Sequence, residues 1–109
     1  MEFKEYQQLA KTTAAYPEIK EKYVYPTLGL LGEAGEVAEK VKKIFRDNGG
    51  ALDDDRRMMI KKELGDVLWY LSQIATEMNI SLDDVAKDNI DKLKSRRDRG
   101  VISGDGDNR

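Results

Sequence analysis

The chain has 109 residues, 39% hydrophobic and 37% charged, enough for one domain with one core, and a thin core if that domain stood alone. Its net charge of −2 and pI near 5.2 argue against a general nucleic-acid binder. With neither cysteine nor histidine, disulfides, zinc–thiolate centres, thiol chemistry and the commonest general base are excluded; a metal site would have to be built from oxygen, which favours Mg²⁺, Mn²⁺ or Ca²⁺.

Helical periodicity recurs four times and strand-like alternation is absent, so an all-α, four-helix bundle-like fold is expected over one domain, residues 1–109, with part of its apolar surface buried between subunits. The first helix is expected over about residues 2–15, with Phe3, Tyr6, Leu9, Ala10 and Thr13 on one side. Pro17 and Pro26 then bracket a loop of about ten residues, and a second helix runs over about 27–46 with Thr27 as its N-cap. An Asn-Gly-Gly turn at 48–50 and the N-cap candidates at 53–55 separate it from a third helix over about 54–78. Ser81, with Asp84 three residues on, fits a capping box that opens a fourth helix reaching about Arg97. The last ten residues are glycine-rich; a frayed terminus is the default for them, and a segment that folds over a binding site, in this chain or in a neighbouring subunit, is the alternative. No apolar run approaches the roughly 18 residues of a membrane span and no signal peptide is evident, so a cytoplasmic protein without membrane contact is expected.

The chemistry-bearing pattern is a pair of acidic pairs. Glu33 and Glu36 share a face of the second helix, and Glu63 and Asp66 share a face of the third, because residues three apart are neighbours on a helix. An antiparallel hairpin of the two helices would bring all four carboxylates together beside apolar positions, where they repel one another unless a cation or a proton intervenes. Mg²⁺ suits such a cluster. The bland alternative is surface decoration, with Glu36–Lys40 and Glu39–Lys43 as ordinary i,i+4 pairs. Gly29, Gly32, Gly35 and Gly65 lie next to these acids, at a cost of about 1 kcal/mol each in a helix interior, and are expected to clear room for a close approach. On the fourth helix Asn89, Lys92 and Arg96 share a face, whose bland alternative is a solvated basic helix end favoured by its own dipole, and Asn89 is expected as a half-buried amide beside the Leu82–Val85–Leu93 stripe.

Taken together, "LGLLGEAGEVAEKVKK", "KKELGDVLWYLSQIATEMNISLDDVAKDNIDKLKSRR" and "SGDGDNR" closely resemble the MazG-like nucleotide pyrophosphohydrolases of the all-α NTP pyrophosphatase superfamily. The resemblance covers residues 28–109 well and the first helix loosely. It implies hydrolysis of a nucleoside triphosphate, often a deoxynucleotide, between the α and β phosphates. The carboxylates of Glu33, Glu36, Glu63 and Asp66 would be both catalytic and metal-holding, with Mg²⁺ as the ion and Mn²⁺ as a substitute. It further implies that Tyr70, Asn89, Lys92 and Arg96 bind phosphate or sugar, and that Phe3, Tyr6, Gln7, Tyr25 and Trp69 contribute to a nucleobase pocket. Trp69 has the alternative of core or interface packing, and Tyr70 that of a rim tyrosine. Relatives are homodimers or dimers of dimers, which agrees with the thin core. Two other readings stay open: a non-catalytic helical interaction module, and a pyrophosphatase for another nucleotide such as phosphoribosyl-ATP.

Overall fold

A computed structural model describes all residues, 1–109, and contains four helices: α1 (Phe3–Lys11), α2 (Val24–Asn48), α3 (Asp54–Glu77) and α4 (Leu82–Asp98). The only strand-like feature is an isolated bridge between Ile19 and Glu21. The fold is all-α, as the periodicity requires.

Two boundaries differ from expectation by three residues or more. α1 stops at Lys11 rather than near residue 15, because the hydroxyls of Thr12 and Thr13 turn back onto the carbonyls of Leu9 and Ala10 at 2.6 and 2.8 Å. Pro17 further on disfavours a helical conformation at the residue before it. α2 begins at Val24, three residues early, so Thr27 is no N-cap; its hydroxyl instead donates to the Tyr23 carbonyl at 2.7 Å. Pro26 fits there because the first-turn N–H groups have no intrahelical acceptor to lose.

The other ends follow local chemistry. Asp53 caps α3, its side chain accepting from the Arg56 N–H, with Asp54 and Asp55 in the first turn where the helix dipole favours them. Ser81 caps α4 by accepting from the Asp84 N–H. α3 ends with Asn79 in the left-handed region and the Ile80 N–H bonded to the Ala75 carbonyl, the six-to-one closure of a Schellman motif.

Residues 49–53 fold α2 back along α3. Gly29 faces Tyr70, Glu33 lies by Asp66, and Lys40 pairs with Glu63, so positions rise along α2 as they fall along α3 and the two helices are antiparallel. α3 is the centre of the molecule: α2 packs on it alone, while α1 and α4 pack on it and on each other. Only eight of the 109 residues are buried, and three of them, Ser72, Gln73 and Arg96, are polar. The radius of gyration is 16.8 Å, against about 13 Å for a compact domain of this length. Leu28, Leu31 and Phe45 project from α2 at 62, 71 and 69% exposure, and Leu64 from α3 at 53%.

Candidate metal and phosphate site

Glu33 on α2 and Glu63 and Asp66 on α3 each offer one oxygen, and these three oxygens lie within 4.8 Å of one another. The antiparallel hairpin produces this convergence: Glu63 and Asp66 are one turn apart on the α3 face that Glu33 meets from α2. Burial, then the charges of Asp66, Glu63 and Glu36, push the Glu33 carboxyl above its ordinary pKa. Glu36 is therefore within electrostatic reach, but it is exposed and its oxygens are not among the three that converge.

Lys40 bridges to Glu63 across the helix pair at 3.8 Å, in place of the expected intrahelical pairing with Glu36. Glu39 pairs with Lys42 at 2.9 Å rather than with Lys43. Lys40 had no signal in the sequence beyond its i,i+4 spacing, because its partner lies on another helix.

Tyr70 continues the Glu63–Asp66 face toward the start of α2, and its ring lies against Gly29. Burial, then Tyr25, Glu33 and Asp66, raise its pKa, so the hydroxyl keeps its proton at neutral pH. Burial, then the charge of Asp66, raise the pKa of Tyr6 on α1. Tyr25 stacks on Tyr16 with ring centroids 5.5 Å apart. Trp69 meets Tyr16 and Tyr70 edge-on at 6.0 and 5.1 Å, and its indole N–H donates to the Thr13 hydroxyl at 2.8 Å. Its indole thus ties the 12–23 loop to α3. Tyr16, whose hydroxyl donates to Glu77 at 2.7 Å, organises this cluster and was not singled out by the sequence. Its only local signal is the Tyr-Pro step.

Gln7 is a fastening between elements. Its amide nitrogen donates to the Thr76 hydroxyl and the Ile80 carbonyl, and its oxygen accepts from the Leu82 N–H at 2.9 Å. Phe3, on the same helix, is 42% exposed. The largest cleft, about 530 Å³, lies against Gln7 and includes Lys4, Lys11 and Thr76 rather than the carboxylates.

The α4 residues are placed apart. Asn89 is exposed, not half-buried. Lys92 and Arg96 sit one turn apart and both bond to Asp107 of the tail, at 2.8 and 3.1 Å. α4 makes no packing contact with α2, so within one chain these cations are not held against Glu33. The tail itself is folded onto α4 rather than frayed.

No helix is long and apolar enough to cross a membrane. An oxygen-only cluster on a helical hairpin can hold a metal ion, and a nearby tyrosine can donate to a bound anion. Among known proteins, the chain is similar to the Gene 37 protein of Mycobacterium phage L5, 49% identical over an alignment that covers 95% of this chain and 96% of that one. No solved structure matches it. The MazG nucleotide pyrophosphohydrolase domain matches residues 26–101, which include both acidic pairs and all of α4, and the chain therefore belongs to the MazG nucleotide pyrophosphohydrolase family.

Proposed function

We propose that this protein cuts nucleoside triphosphates, deoxynucleotides included, between the α and β phosphates, giving a nucleoside monophosphate and pyrophosphate. The observation that carries this reading is the convergence of three carboxylate oxygens from two helices within 4.8 Å, in a chain of this family. The donors fit Mg²⁺, with Mn²⁺ as a substitute: all are hard oxygens, and the raised proton affinity of Glu33 marks negative charge in need of a counter-ion. Glu33, Glu63 and Asp66 would hold the metal, with Glu36 one turn away on the same face. When bound, a divalent ion would neutralise charge on the phosphates and lower the pKa of an attacking water.

The remaining roles fall to the chain's own groups. One of the four carboxylates takes the water's proton, since no histidine or cysteine is available. Tyr70, protonated at neutral pH, donates to a phosphate or to the sugar. Lys92, Arg96 and Asn89 bind the outgoing phosphates; because α4 and α2 do not touch, we assign them to the site of a second copy, in a homodimer or a dimer of dimers. Tyr6 and Tyr25 border the nucleobase. The substrate belongs to the cytoplasmic nucleotide pool.

The test is a panel of NTPs and dNTPs with Mg²⁺, with products resolved by ³¹P NMR for the wild type, Asp66→Asn and Glu63→Gln. Monophosphate plus pyrophosphate is expected, with turnover lowered about a hundredfold or more in both variants. Diphosphate plus orthophosphate would place the cut at the other bond and refute this assignment. No turnover, together with melting insensitive to Mg²⁺, would favour a non-catalytic helical module.

A further inference from the structure

Lys92 and Arg96 already hold an anion. The Asp107 carboxylate accepts from Lys92 Nζ at 2.8 Å and from Arg96 Nη2 at 3.1 Å through the same oxygen, Oδ1, and the Asp107 main-chain carbonyl also accepts from Arg96 Nη2. Two cations converging on one oxygen is the arrangement of a small anion site. The site is covered by the tail: the Arg96 side chain is 6% exposed, whereas that of Asp107 is 76% exposed. The Arg96 Nε is buried and bonds to nothing in the protein, which leaves part of a guanidinium fork for a larger anion.

The tail is shaped to present Asp107. Gly100, with φ +69, ends α4 in a Schellman closure in which the Val101 N–H bonds to the Arg96 carbonyl. Gly104 and Gly106 then turn the chain back with positive φ. Arg109 ties the loop by donating to the carbonyls of Val101, Ile102 and Gly106, while Arg99 donates to the Arg109 carbonyl. These fastenings are polar and lie largely at the surface, where ion pairs contribute little and are screened by salt. Such a loop is well placed but weakly held.

We propose that Asp107 is an internal competitor for the Lys92–Arg96 anion site, and that a di- or triphosphate chain binds there by displacing residues 103–109. This rests on the reading of Lys92 and Arg96 as phosphate ligands. A polyphosphate replaces one carboxylate charge with several and can engage the free Arg96 donor, so the exchange favours it without new apolar contact. The tail then shields the buried guanidinium in the ligand-free protein and sets how tightly phosphate ligands bind.

The test uses full-length protein and inorganic pyrophosphate at fixed Mg²⁺, titrated by calorimetry into the wild type, Asp107→Asn, Asp107→Ala and the double variant Lys92→Ala/Arg96→Ala. Both Asp107 variants are expected to bind pyrophosphate about three- to tenfold more tightly. Heteronuclear NOEs of amides 103–108 in the wild type are expected to drop on saturation, as the tail comes off α4. Unchanged or weaker binding in the Asp107 variants, or a tail that stays ordered at saturation, would overturn the competition while leaving the phosphate role of the pair intact. Unchanged binding in the double variant would instead remove the phosphate role of the pair, and the competition with it.

Discussion

A β-carbon on residue 29 would overlap Cε1, Cζ and Cδ1 of Tyr70, so the ring lies beside Glu33 and Asp66 only because α2 has a glycine at that turn. In an ordinary helix interior, glycine to alanine gains about 1 kcal/mol. At Gly29 the sign reverses: Gly29→Ala is expected to destabilise the fold by about 1–3 kcal/mol, through overpacking against the ring. In a Tyr70→Ala background the same substitution should return to the stabilising side, and a double-mutant cycle by denaturant melting measures the coupling. Stabilisation in the wild-type background would mean that Tyr70 moves aside without cost and is not positioned by α2. The sequence pattern was enough to place glycines beside the acids, and Glu33, Glu63 and Asp66 do meet. What it could not show is that Gly29 makes room for an aromatic ring, since that neighbour arrives from another helix. Gly32, Gly35 and Gly65 have open space beside them in the single chain.

Helix ends were legible where one residue type acts alone, and misread where side chains compete with the backbone. Asp53 and Ser81 cap as their spacing implies. Thr12 and Thr13 close α1 by bonding backward, and Pro26 sits comfortably in a first turn, so the loop between α1 and α2 is displaced toward the N-terminus. The placement of α1 then depends on Gln7, whose three bonds join it to the α3–α4 junction. A polar residue on an amphipathic helix reads equally as ligand contact or as fastening until its partners are seen. Gln7→Leu is expected to destabilise the protein by about 2–3 kcal/mol, because it removes these bonds and strands the Leu82 N–H at the start of α4. Hydrogen exchange should localise the loss to α1 and the first turn of α4. If Gln7 were instead a base-reading residue, the ranking among nucleobases would change while stability stayed near wild type. The geometry predicts the reverse.

For the whole molecule, the exposed apolar residues of α2 and α3, the large radius of gyration and the separation of α4 from α2 belong to one problem. A chain with so few buried residues hides its apolar surface best against another copy, and symmetric pairing is the commonest way to do so. If the carboxylates of one subunit work with Lys92 and Arg96 of its partner, each site in a dimer draws on both chains. Asp66→Asn and Lys92→Ala/Arg96→Ala should then each be inactive alone. In a mixed dimer one site collects both defects and the other neither, so the second is intact. Random reassembly of equal amounts would place such dimers at half the population, with about a quarter of wild-type sites restored. The measurement is pyrophosphate release after the two inactive proteins are unfolded together and refolded, with each refolded separately as control. Recovery near that fraction would assign the cations to the partner subunit. A mixture as inactive as its components would place carboxylates and cations within one chain and require α4 to swing toward α2 when substrate binds.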